Sequence, residues 1–169
     1  MQKQIKFKNN LILKRIIFLI ILVLTFWIIF NFSEQSGEES GSLSERVTSF
    51  VVGIIAEIKI IDVSSKDYFI EILHPIIRKM AHFTIYTVVG FSIMGFMCTF
   101  DMKNIIKFSI SFGVGVFYAI SDEIHQYFTP GRGPSVIDVG IDSLGVITGI
   151  FILVSVIIFA ETISNKVKG

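Results

Sequence analysis

Cysteine is almost absent. Cys98 stands alone, so no intrachain disulfide and no thiolate metal site can form. It lies in an apolar run, where a lone cysteine reads as a small packed or lipid-facing residue. Charge is scarce too. Asp, Glu, Lys and Arg make up 17% of the 169 residues, against about 25% in an ordinary soluble domain. The basic residues are dispersed, with no aromatic-rich basic face, which argues against nucleic acid as a partner. No internal repeat or low-complexity segment is present. What the chain has in abundance is apolar surface: 52% of its residues are hydrophobic and seventeen are phenylalanine. That composition describes a small integral membrane protein with room for one compact helical unit.

Four apolar runs cover about 16–32, 76–100, 105–128 and 139–160. Each approaches the roughly 20 residues that cross about 30 Å of hydrocarbon, and helices satisfy the backbone there. The expected fold is an all-α integral membrane protein with four transmembrane helices. An extracytoplasmic amphipathic helix would lie between the first and second. The membrane domain would run from 16 to 160, between a basic tail at 1–15 and a second tail at 161–169. The first run reads as a retained signal anchor. Its apolar core exceeds the usual length of about 7–15 residues, and Ser33-Glu-Gln-Ser-Gly37 follows in place of a small-x-small cleavage site.

Positive charge gives an orientation. Lys3, Lys6, Lys8, Lys14 and Arg15 precede the first run, Lys103 and Lys107 join the second to the third, and Lys166 and Lys168 follow the fourth. Those stretches would be cytoplasmic, with both termini inside. The segment 31–75 would then be outside; it carries eight acids against Arg46, Lys59 and Lys66. Within it, Ser42-Leu-Ser-Glu45 fits a capping box. Leu43, Val47, Phe50, Val51, Ile54, Ile55 and Ile58 then share one helical face, with Ser44, Glu45, Thr48, Ser49 and Glu57 opposite. Such a helix would lie on the outer leaflet or cap the bundle. Ser64-Ser-Lys-Asp67 would cap a second short helix, and Pro75 would open the second span.

The segment 121–142 places Asp122, Glu123, His125, Gln126, Arg132, Asp138 and Asp142 between two membrane-length runs. An ionisable group at the centre of a span costs about 2.5–3.5 kcal/mol, less near the interface, so these residues form a candidate site. On the second helix Lys79, His82 and Tyr86 share a face, with Arg78 on a neighbouring edge. Arg78 and Lys79 oppose the simple charge tally and are expected to pair with these acids. On the third helix Asp122 and Gln126 lie one turn apart, and Glu123 faces Gln126 and Tyr127. On the fourth, Asp138, Asp142, Gly145 and Gly149 form one stripe, a Gly-x-x-x-Gly step that also suits oligomer formation. The topology brings the polar ends of these three helices to the same membrane face.

Each element also has a plain structural role available: interfacial snorkelling for Arg78 and Lys79, a Ser135–Asp138 capping box, a tight turn at Thr129–Pro134, or a purely structural ion-pair network. Asp122, Glu123, His125, Asp138 and Asp142 are donors suited to Mg²⁺, Ca²⁺ or Zn²⁺. They follow no established ligand spacing and have cations beside them, so neither a metal nor another cofactor is expected, with a divalent ion left open. His82, Asp122 and Glu123 are the candidates for acid–base catalysis. No serine or cysteine has a convincing base and orienting partner.

Several ordered motifs resemble the VanZ-like family. They are Phe32-Ser-Glu-Gln-Ser-Gly with Ser40-x-x-x-Ser44-x-x-Val47, then Arg78-Lys-Met-Ala-His-Phe-x-x-Tyr86 with Gly90. They continue with Asp122-Glu-Ile-His-Gln126, Pro130-Gly-Arg132 and Asp138-x-x-x-Asp142-x-x-Gly145. Two positions depart from relatives: Ile85 stands where many have glutamate, and Asp142 where asparagine is frequent. The resemblance implies a multi-pass protein of the bacterial plasma membrane, and its named member is associated with teicoplanin resistance in Gram-positive bacteria. It maps the shared polar residues onto Lys79, His82, Tyr86, Asp122, Glu123, Gln126, Arg132, Asp138 and Asp142. The expected function is an outward-facing polar site acting on the cell envelope. Arg132 and Lys79 would hold an anionic group such as a lipid phosphate, with membrane lipids, a lipid-linked cell-wall precursor or a glycopeptide-related ligand as partners. A membrane enzyme acting on such a substrate, and a small-molecule or ion transporter, are the alternatives.

Overall fold

A computed structural model of the protein describes residues 2–58, 60 and 62–168; Lys59, counted above among the outer cations, lies outside them. The described residues form five helices and no strand: α1 (Gln2–Glu34), α2 (Gly37–Glu57), α3 (Lys66–Met97), α4 (Asn104–Tyr127) and α5 (Val136–Lys168), with a single 3-10 turn at Val63–Ser65. Four stretches are long and apolar enough to cross a membrane: Asn9–Glu34, Lys66–Met97, Asn104–Tyr127 and Val136–Val167. The protein is therefore a four-span membrane protein with one further helix, α2, between the first two spans.

The boundaries correct the sequence expectations. α1 begins at Gln2 and not near 16, because lysine and arginine favour helix and the basic segment continues it. α5 likewise runs on to Lys168 in place of ending near 160. The capping box of α2 is Ser36-Gly-Glu-Glu39, one pattern earlier than Ser42–Glu45: Ser36 Oγ accepts from the Glu39 N–H at 3.2 Å, and Glu39 Oε2 accepts from the Ser36 N–H at 3.0 Å. Nor does Pro75 open the second span. The short helix after Ser65 and the span itself are continuous as α3, which places Pro75 inside it. Proline there removes one backbone donor, the bond that would reach the Glu71 carbonyl.

α3 is the central helix and packs against all four others. Its closest partner is α5. A Cβ added at Gly149 would strike the Thr87 carbonyl and the Phe91 amide, and one at Gly145 the Phe83 carbonyl. Glycine therefore lets the two backbones touch. This close approach removes the Gly145/Gly149 face from oligomer formation, because α3 of the same chain fills it. Around the contact, Tyr86, Val89, Ile93, Met94, Ala119, Val146, Ile150 and Leu153 form the buried core, joined by Ile29 of α1.

α2 packs on the bundle through the face opposite its apolar stripe. It turns Thr48, Val52 and Ala56 inward, and these are buried. Ser44 Oγ lies 2.7 Å from His74 Nε2 of α3, at the same seam. Leu43, Val47, Phe50, Ile54 and Ile58 stay exposed. Small side chains allow close helix approach, while in a bilayer large apolar ones meet acyl chains at little cost. At the opposite end of the bundle, Arg15 is part of α1 and not of a loose tail. Its guanidinium donates to Thr99 Oγ1 and to the Thr99 carbonyl, each at 3.0 Å, and lies 4.2 Å from the Phe100 ring centre. The chain crosses four times, so its two termini lie at this Arg15 end and the polar residues gather at the other.

Candidate functional site

The polar end is assembled from the C-terminal turns of α1 and α4, the first half of α3, and the start of α5. Asp122, buried on α4, ties three helices together. It accepts from Ser33 Oγ of α1 at 2.5 Å, from the Tyr86 hydroxyl of α3 at 3.3 Å, and from Gln126 Nε2 of its own helix at 3.1 Å. Gln126 also donates to Ser33 Oγ at 3.3 Å, and Thr129 Oγ1 donates to the Ser33 carbonyl at 3.1 Å. The i, i+4 spacing of Asp122 and Gln126 predicts their contact. Ser33 was missed as a site residue, although it lies in the Phe32–Gly37 segment that carries part of the family resemblance.

The α3 face expected from sequence meets α5 in register. Lys79 Nζ lies 3.9 Å from Asp138 Oδ1, and His82 Nδ1 lies 3.6 Å from Asp142 Oδ1. One turn further on, Tyr86 reaches Asp122. The Lys79–Asp138 pair is substantially exposed and contributes little to stability by itself. Asp142 is a different case. It is fully buried, and neither of its carboxylate oxygens has a hydrogen-bond partner among the described residues. Arg78 lines the clefts described below but forms no ion pair with a described acid.

Glu123 turns away from the position expected for it beside Gln126 and Tyr127. Its Oε2 accepts the Ser135 N–H at 2.7 Å, while Ser135 Oγ accepts the Asp138 N–H at 3.2 Å. The expected Ser135–Asp138 capping box is thus half formed. Glu123 supplies the carboxylate that Asp138 would have provided, which leaves Asp138 facing Lys79. The resulting brace holds the 128–135 loop, with Gly131 at φ 74° turning the chain where few side chains fit. The loop also docks on α2 through the Gly37 N–H and the Pro130 carbonyl, 3.0 Å apart.

Arg132 folds back from this loop and donates through Nη2 to the Phe32 carbonyl at 2.8 Å, while its Nε is buried without a partner. Burial first, and then the Arg78 cation, lower its pKa from the ordinary arginine value, against the opposite pull of Asp122 and Glu123. Two clefts open beside these groups. One, of about 230 Å³, is lined by Arg78, Lys79, His82, Gln126 and Asp138 together with Pro75 and Ile141. The other, of about 260 Å³, lies between α1, α2 and α3, with Arg78, His82 and Arg132 set among apolar residues such as Ile29, Val47 and Ile85.

The donors Asp122, Glu123, His125, Asp138 and Asp142 do not gather as one set. Glu123 is committed to the loop, and the His125 ring stacks on Phe30 with centres 4.9 Å apart. The donors that do converge are those of His82, Asp122 and Asp142, all within 4.8 Å of one another.

The VanZ/LLP1 family model matches residues 18–159, which takes in the second and third spans, most of the first and fourth, and every residue of this cluster. No curated protein and no solved structure matches the chain. With the match covering most of its length, the chain belongs to the VanZ/LLP1 family.

Proposed function

We propose that the polar end faces the outside of a bacterial plasma membrane and holds the anionic headgroup of an amphiphile, and that this binding alters the response of the envelope to glycopeptides such as teicoplanin. The orientation rests on the positive-inside rule. Lys103 and Lys107 follow α3 at the Arg15 end of the bundle, which by that rule favours both termini in the cytoplasm and the polar end outside. The glycopeptide link rests on the family resemblance.

The observation that carries the reading is that Arg78 and Arg132 line the same largely apolar cleft. Two guanidiniums beside one another raise each other's cost of burial, and an anion placed between them offsets it. A phosphate accepts charge-assisted hydrogen bonds from both, with the buried, unpartnered Arg132 Nε as a ready donor. Acyl or prenyl chains would lie against Ile29, Val47 and Ile85 and pass into the bilayer. Lys79, in the adjoining cleft, adds a third positive charge. A lipid-linked cell-wall precursor has this chemistry, as does an ordinary acidic phospholipid.

Native mass spectrometry of the full-length protein in neutral detergent, titrated with short-chain phosphatidic acid or phosphatidylcholine, tests the reading. The acidic lipid is expected to bind at least about tenfold more tightly, and Arg132→Ala to weaken it by about tenfold, or about 1.4 kcal/mol. Phosphatidylcholine binding should not change. Equal affinity for both lipids, or an Arg132→Ala variant that binds phosphatidic acid like the wild type, contradicts it.

A further inference from the structure

We propose that His82, Asp122 and Asp142 form a binding site for one divalent transition-metal ion, of the zinc or manganese class, in the interior of the bundle between α3, α4 and α5. The inference is independent of the headgroup reading, because it uses different groups and a different ligand.

Charge is the first argument. Asp122 and Asp142 are 5% and 0% exposed, and both lie on membrane-spanning helices. Two carboxylates buried together need a counter-charge. Among the described residues no lysine or arginine lies within ion-pair distance of either, and the one basic side chain facing Asp142 is His82. A single divalent ion balances both.

The second argument is the state of Asp142. Both of its oxygens lack a hydrogen-bond partner, and so does His82 Nδ1, which faces it at 3.6 Å. That separation is too long for a hydrogen bond. Unsatisfied buried polar atoms are rare, and an ion is one of the things that explains them. Here three such atoms lie side by side.

Geometry and donor chemistry fit as well. Three atoms no more than 4.8 Å apart have a point within about 2.8 Å of each; closing to metal–ligand lengths of about 2.0–2.2 Å takes a shift of at most about 0.8 Å per side chain. One imidazole with two carboxylates suits zinc and manganese better than the all-oxygen sets that magnesium and calcium favour. Asp122 is oriented by Ser33, Tyr86 and Gln126, as ligating carboxylates commonly are. Three protein ligands leave a position for water or another oxygen ligand. His82 lines both clefts, which gives the ion a path in.

The test uses the full-length protein in detergent, stripped with EDTA, desalted and titrated with Zn²⁺ or Mn²⁺. Bound metal is counted by elemental mass spectrometry. The expected result is one equivalent of at least one of these ions, with affinity reduced at least tenfold in both Asp142→Asn and His82→Gln. Glu71→Gln serves as a control, since Glu71 belongs to an exposed group with Glu45, Asp67 and His74 that can collect metal at the surface; it is expected to bind like the wild type. No stoichiometric ion in the wild-type protein overturns the proposal. So does binding that survives both Asp142→Asn and His82→Gln but falls in Glu71→Gln. Should one of the two site variants fail to fold, the wild-type titration and the other variant still decide.

Discussion

Gly149→Leu is expected to prevent the protein from accumulating in folded form. The added side chain would begin inside the Thr87 carbonyl and the Phe91 amide, and these are backbone atoms that no rotamer change can move. α3 and α5 would have to separate, which opens the core around Val89, Val146 and Ile150. Overpacking a core commonly costs about 1–3 kcal/mol, and a clash against backbone at the central helix pair belongs at or above the top of that range. Gly53→Leu is the contrast. Nothing lies within 4 Å of a Cβ there, and replacing a helical glycine relieves up to about 1 kcal/mol of backbone entropy cost. Size-exclusion profiles of the two variants in detergent, read beside the wild type, check the pair: Gly149→Leu aggregates or vanishes, and Gly53→Leu elutes normally.

Tyr86→Ala is expected to cost about 3–5 kcal/mol, the usual penalty for deleting a large buried aromatic side chain. Tyr86 has no exposed surface and is among the largest fully buried side chains. It links two levels of the structure, since its ring sits in the core cluster while its hydroxyl donates to Asp122. Tyr86→Phe keeps the ring and removes only the hydroxyl. The cost should fall to about 0.6 kcal/mol, the average for hydrogen bonds between helices in membranes, and to no more than about 1.7 kcal/mol, the largest such value. Thermal unfolding in detergent separates the two contributions. Equal losses in both variants would mean that the hydroxyl, and not the ring, carries the effect.

The four spans were legible in the sequence because each is an apolar run of membrane length, a signal that survives any detail of packing. Their ends were harder to read. Lysines and arginines mark an interface but do not stop a helix, so α1 continues through its basic segment and α5 through its last residues. On α2 the apolar stripe was read correctly as a stripe, with Thr48 on the opposite face; what the stripe alone does not tell is that this opposite face is the one that packs on the bundle. The usual rule that large apolar residues face the core belongs to water. Beside a bilayer the seam goes to Thr48, Val52 and Ala56, and Phe50 is left 70% exposed.

In the site, helical spacing was enough to align Lys79, His82 and Tyr86 on one face. Each meets a carboxylate: Asp138, Asp142 and Asp122 respectively. Spacing could not show that α1 contributes Ser33, because a lone serine at a helix end carries no periodic signal. Nor could it show where Glu123 points. That is set by the Ser135 N–H at the start of α5, a donor that needs an acceptor. The glycines of α5 were read correctly as a close-packing step, yet the partner proved to be α3 of the same chain.

The central claim is that the polar end, organised around Asp122, is the working part of the protein. Teicoplanin susceptibility tests it most directly, in a sensitive Gram-positive host making the wild type or Asp122→Asn at matched membrane levels. The substitution keeps the shape of the side chain and removes its charge. The account predicts that the wild type raises tolerance and that Asp122→Asn returns it to the level of the empty host. Tolerance raised equally by both proteins would contradict it.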